Sequence, residues 1–206
     1  MSKAEEFLSF VKKECEEAGV KYLFPETKKV PYLQDENMLV SGYFDDVPEP
    51  ILACAIGKPE EEWYQILVHE SCHMDQWKEK SEAWKSIDIQ NMRADQIMDK
   101  WLGGMEFEDS LIKDSIRIMQ AVELDCEIRS VEKIKKLDLP IDIPQYIKKA
   151  NSYLYLYSAI LHTRKWPDVA PYEVPEIVQE MPENFLDKVE DYYNIPDNLL
   201  QLFQKL

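Results

Sequence analysis

The sequence predicts an α+β chain, in which a short antiparallel sheet precedes one helix of chemical interest and the remainder is mostly helical. Three observations carry this reading. Between Lys21 and Ile56, short runs of β-forming residues are broken by Pro, Gly and Asp, as short strands require. On either side of that region, apolar residues recur at helical spacing. The composition, 45% hydrophobic and 31% charged over 206 residues, suits one domain with a real core rather than a disordered chain.

The elements follow in order. Phe7, Leu8, Phe10, Val11, Cys15 and Ala18 mark a helix over 3–18 that Gly19 ends. Tyr22-Leu23-Phe24-Pro25, Met38-Leu39-Val40, Gly42-Tyr43-Phe44 and the run 51–56 read as strands of the small sheet. Pro59 opens a helix whose first turn, Glu60-Glu61-Glu62, suits the helix dipole, and it runs to about Lys80. Further helices are expected near 88–101, from Asp109 to Leu137 and over 145–163, with Gly103-Gly104, Pro140 and Pro144 between them. Pro167, Pro171, Pro175 and Pro182 then punctuate a stretch without periodicity until a short helix after Pro196. The expected organisation is one domain over 1–165, with a Pro-rich segment over 166–206 whose terminal helix packs on it.

Charge and cysteine usage narrow the classes. A net charge of −16 argues against nucleic acid as a partner, because phosphate binding needs clustered Lys and Arg. No apolar run is long enough to span a bilayer, and the residues after Met1 carry no apolar leader, so a cytoplasmic place and no membrane partner are expected. Cys15, Cys54, Cys72 and Cys126 show no disulfide or zinc-type spacing and read as small buried packing residues.

The chemistry gathers at His69-Glu70-Ser71-Cys72-His73. On a helix, residues four apart lie roughly 40° apart about the axis, so both imidazoles leave one face and can bind one tetrahedral zinc. Glu70, about 100° from His69, suits a general base better than a third ligand. Two ligands and a base form the HExxH arrangement of zinc peptidases, in which the metal lowers the pKa of water toward about 7. Chance rarely sets two of only three histidines at this spacing around a Glu.

A third ligand is expected from the long helix. Ile112, Ile116, Met119, Glu123, Cys126, Ser130, Ile134 and Leu137 form one apolar or small stripe, and Glu123 stands within it. A carboxylate in a buried seam is costly unless it is paired or bound to a metal. Glu127, one turn on, also faces inward and could accept a hydrogen bond from a ligand histidine. Asp125 points to the opposite side, where Arg129 can pair with it. The alternative for Glu123 is an inward acid paired with Lys or Arg, and the alternative third ligand is His162.

His69-Glu70-x-x-His73 followed by Glu123-x-x-x-Glu127 resembles the gluzincin branch of the HExxH zincin metallopeptidases, over roughly residues 40–137. The resemblance implies a zincin-like fold, Zn2+ as cofactor, and Glu123 as third ligand. It also implies a supporting role for Glu127, where Asp or Asn is commoner, and a peptide or protein substrate hydrolysed with Glu70 as base. Family members also supply a Tyr, His or Arg to the oxyanion. Tyr157 and His162 are the candidates here, although a tyrosine stripe is also an ordinary core feature. Substrate is expected to add as a strand to the sheet edge, at Gly42, Tyr43 and Phe44 or along 51–56. The rival expectation is a zincin-fold binding, regulatory or particle-associated structural protein that holds zinc without turnover.

Overall fold

The computed structural model describes residues 2–33 and 35–206. It is a mixed α+β chain in two compact units, Met1–Ser81 with Arg129–Ile141 and Glu82–Ile128 with Asp142–Leu206. One helix, α5, runs through both.

In the first unit, α1 (Lys3–Ala18) starts at a capping box between Ser2 and Glu5 and ends at Gly19, whose φ of 70° turns the chain out. β1 (Lys21–Leu23), β5 (Ile51–Cys54) and β4 (Gly42–Asp45) form a three-stranded sheet in that order, and β2 (Val30–Tyr32) pairs with β3 (Asp35–Val40) in a separate hairpin. This sheet is not wholly antiparallel as expected. β4 runs antiparallel to β5, but β1 lies parallel to it, with Lys21 opposite Ile51. The hairpin and β4 intervene between β1 and β5 in the chain, which gives the long connection that a parallel pair needs. The sheet also corrects one of the two expected strand-addition sites. β5 is paired on both sides and offers no edge, whereas β4 is the terminal strand.

α2 (Glu60–Glu79) packs on β4 and β5. It ends at Lys80, where φ is 51° and the N–H caps Gln76 and Trp77 carbonyls. Trp63, Tyr64, Leu67, Val68, Cys72 and Met74 turn inward, and Phe7 of α1 stacks 5.6 Å from the Tyr64 ring. The last third of α5 (Asp109–Leu137) belongs to this unit. It terminates through Asp138 at φ 50°, just before Pro140.

The second unit begins with the short helix α3 (Glu82–Lys85) and the two-residue strands β6 (Asp88–Ile89) and β7 (Met92–Arg93). The helix expected near 88–101 is therefore shorter. Gln90 and Asn91 take φ of 51° and 66°, the successive positive values of a tight hairpin turn, and α4 (Ala94–Leu102) starts only after it. The first two-thirds of α5 and α6 (Ile143–Thr163) build the core with α7 (Pro175–Glu180) and α8 (Asp197–Phe203). Ile177, Met181, Tyr192, Leu199 and Phe203 are buried in that core beside Ile116 and Leu154. Each such side chain contributes about 1.5–3 kcal/mol by burial. Asn151 of α6 donates to the Pro182 and Asn184 carbonyls and fixes the path of the Pro-rich chain. No helix among the described residues is long and apolar enough to cross a membrane.

Candidate metal centre

His69 and His73 project from the same side of α2, with their Nε2 atoms 3.1 Å apart and their rings nearly perpendicular at 89°. That separation suits two ligands of one tetrahedral ion, since metal–nitrogen bonds of about 2.0–2.1 Å set the nitrogens about 3.3 Å apart. The buried Gln76, one turn further on, accepts from His73 Nδ1 at 2.8 Å. An amide oxygen only accepts, so the ring proton sits on Nδ1 and the Nε2 lone pair is left facing His69. A hydrogen bond of this kind fixes both tautomer and ring orientation in metal-ligating histidines. The pair thus passes a geometric and a chemical test for a cation between the rings.

Glu70 leaves α2 toward β4, where its Oε2 accepts from the Phe44 main-chain N–H at 3.0 Å. This approach requires Gly42. A Cβ there would sit 2.6 Å from Ile66 Cγ2, 2.9 Å from the Ala53 oxygen and 3.4 Å from Glu70 Cγ. The alternation of the strand turns Tyr43 the other way, into the apolar cluster with Val30 and Ala53. Phe44 rests against Trp77, with ring centres 5.8 Å apart. The charge on Glu70 is felt nearby, since the Cys54 thiol is pushed up first by burial and then by this carboxylate.

A half-buried cation also holds the motif helix. Lys133, in the last third of α5, reaches Asp75 at 2.6 Å, Ser71 Oγ at 3.1 Å and Glu14 at 3.5 Å. Arg129 reaches Glu79 of α2 at 2.7 Å. The C-terminal end of α5 is therefore tied to the helix that carries the histidines.

In the second unit, both acids of the Glu123-x-x-x-Glu127 pair are buried, at 7% and 6% exposure, and each accepts a phenol from α6. Tyr157 donates to Glu123 at 3.3 Å and Tyr146 donates to Glu127 at 2.5 Å. Burial, then the Glu123 charge and Tyr153, hold the Tyr157 hydroxyl well above the usual tyrosine value, so it keeps its proton and acts as a donor. His162 is exposed and lies five residues on, about 140° around α6 from Tyr157. It lines a different cavity, with Arg117 and Gln120. Asp125 is half-buried.

Within the first unit the structure brings His69, Glu70, His73, Gly42 and Phe44 together, and within the second it brings Glu123, Glu127, Tyr146 and Tyr157 together. Sequence reading missed Gln76, Lys133, Tyr146 and the Phe44 N–H. Gln76 alone carried a local signal, three residues after His73 on the same helix. Cys126, read as a packing residue, is fully buried and counts with His69 and His73 among the side chains that could hold a metal ion.

No family model, no curated protein and no solved structure matches the chain. The functional reading stands on the residues themselves.

Proposed function

We propose that the chain is a zinc-dependent metallopeptidase of gluzincin type, acting on a peptide or protein. The observation that carries this reading is the convergence of His69 and His73 Nε2 at 3.1 Å, with Glu70 between them in sequence and directed at a terminal strand. Bound zinc supplies Lewis acidity, which makes water acidic near neutral pH and polarises a carbonyl. The chain's own residues do the rest. His69 and His73 hold the ion, and Gln76 keeps the His73 lone pair aimed at it. Glu70 takes the proton of the attacking water on its carboxylate and passes it to the leaving amine. β4 is a terminal strand of the sheet and offers an extended peptide an edge at Gly42, Tyr43 and Phe44, beside the Glu70 carboxylate that meets the Phe44 N–H. The third ligand comes from α5, and Glu123 is the one the resemblance implies, with Tyr157 orienting its carboxylate.

The rival is a zinc-holding binding or structural protein without turnover, and one observation favours it: α5 carries a buried thiol as well as Glu123. If Cys126 and Glu123 both ligate, four protein donors close the coordination and leave no place for water. The deciding test compares zinc-loaded wild type with Glu70→Gln on a broad peptide library. The amide is nearly isosteric but cannot take the proton, so turnover should vanish while zinc and fold persist. Equal activity in the two proteins removes Glu70 as the base, and no activity in a zinc-loaded, folded wild type favours the rival.

A further inference from the structure

The second unit holds a cavity of about 290 Å³ between α5, α6 and Tyr193, just after the turn at Val189–Tyr192. Lys113, Arg117 and His162 line it, and no carboxylate does. That is unusual in a chain with 40 acidic and 24 basic residues. Lys113 and Arg117 are four apart on α5, a like-charge spacing that destabilises a helix unless an anion compensates it. Neither has a carboxylate partner among the described residues, and the Arg117 guanidinium lies instead over the Tyr193 ring at 4.7 Å. Asp114 and Glu190 are felt by the Tyr193 hydroxyl but do not line the cavity.

The inner wall is polar where a core wall is ordinarily apolar. Gln120, fully buried, donates from Nε2 to the Leu154 carbonyl at 2.7 Å and to Ser158 Oγ at 3.2 Å. Ser158 in turn donates to the Tyr192 carbonyl at 2.6 Å. These bonds fix the amide orientation, and Gln120 Oε1 receives no hydrogen bond. A buried acceptor of this kind costs free energy unless a donor reaches it. Ile116, Leu161 and the Tyr193 ring supply the apolar surface.

We propose that this cavity binds a small organic anion: a carboxylate or phosphate held by Arg117, Lys113 and His162, on an apolar body bearing a hydroxyl or amine for Gln120. The guanidinium matches a carboxylate or phosphate bidentately, and its seat on Tyr193 holds it in place.

Amide spectra of the full chain, titrated separately with mandelate, phenylacetate and phenyl phosphate, test this. Saturable shifts at the Gln120 side-chain amide and Tyr193 are expected, with mandelate tighter than phenylacetate because only mandelate carries the hydroxyl. The exposed Arg117→Gln and Lys113→Gln variants should each weaken binding about tenfold or more, as loss of a charge-assisted contact does. Response to phenyl phosphate alone names phosphate esters as the source, and response to mandelate alone names hydroxy acids. The titrations are repeated in the His69→Ala/His73→Ala background, so that an anion held by a metal there is not counted. Shifts that never saturate, or that are indifferent to both charge removals, overturn the assignment.

Discussion

Replacing Lys133 by Met should unfold the first unit at markedly lower temperature. The Lys133 side chain is 10% exposed, with Asp75 at 2.6 Å and Glu14 at 3.5 Å, so its loss leaves Glu14 without its ion pair and Asp75 with only the more exposed Lys78 at 3.5 Å. Removing one partner of a buried ion pair costs about 3–5 kcal/mol. For a chain of this size each kcal/mol lowers the midpoint by roughly 2–4 °C, so a fall of roughly 6–20 °C is expected in a circular-dichroism melt. The triple variant Glu14→Gln/Asp75→Asn/Lys133→Met removes the orphaned charges as well and should recover much of the loss, a non-additivity that a simple cavity would not produce. The pH dependence has a definite sign. Burial works against the Lys133 charge, but Cys72, Asp75 and Glu14 more than offset it and hold the ammonium above the usual lysine value. A raised lysine contributes stability that is fully present below about 10.4 and is lost as pH rises through the folded value. The gap between wild type and Lys133→Met should therefore stay constant across neutral pH and close in strong alkali. A midpoint change under about 2 °C, or a triple variant worse than the single one, refutes the reasoning.

Two further outcomes follow from the site. Gly42→Ala drives a methyl to 2.6 Å from Ile66 and 2.9 Å from the Ala53 oxygen, so β4 must shift away from α2. A loss of about 1–3 kcal/mol in urea denaturation is expected, with the Phe44 amide signal moving as its bond to Glu70 breaks. Glu123→Ala should weaken zinc strongly in a competition titration and Glu127→Ala roughly tenfold to a hundredfold, while Asp125→Ala leaves zinc unchanged. Zinc lost with Cys126→Ala but kept with Glu123→Ala would transfer the ligand role to the thiol.

Much of this was legible because it is local. Gly19, Pro59 and Pro140 bound helices by their own backbone chemistry, and the end of α1, the start of α2 and the end of α5 lie where those residues place them. The spacing of His69 and His73 needs only one turn of α2 to become a pair of converging nitrogens. What stayed hidden depends on which segments meet. Periodicity gives β1 and β5 as strands but not their parallel pairing. Gln90 and Asn91 carry a turn signal too weak to outweigh the apolar spacing of 94–102. Phe44 lies 26 residues from Glu70 and Lys133 lies 62 from Ser71, and no pattern along the chain announces either contact.

The central claim is that the His69–His73 pair holds a zinc ion, and elemental analysis of the purified chain beside its His69→Ala/His73→Ala variant tests it most directly. The account predicts one zinc per wild-type chain and none in the variant, with the fold of both confirmed by circular dichroism. A folded wild type that takes up no zinc when it is supplied, or a variant that retains it stoichiometrically, would contradict the account.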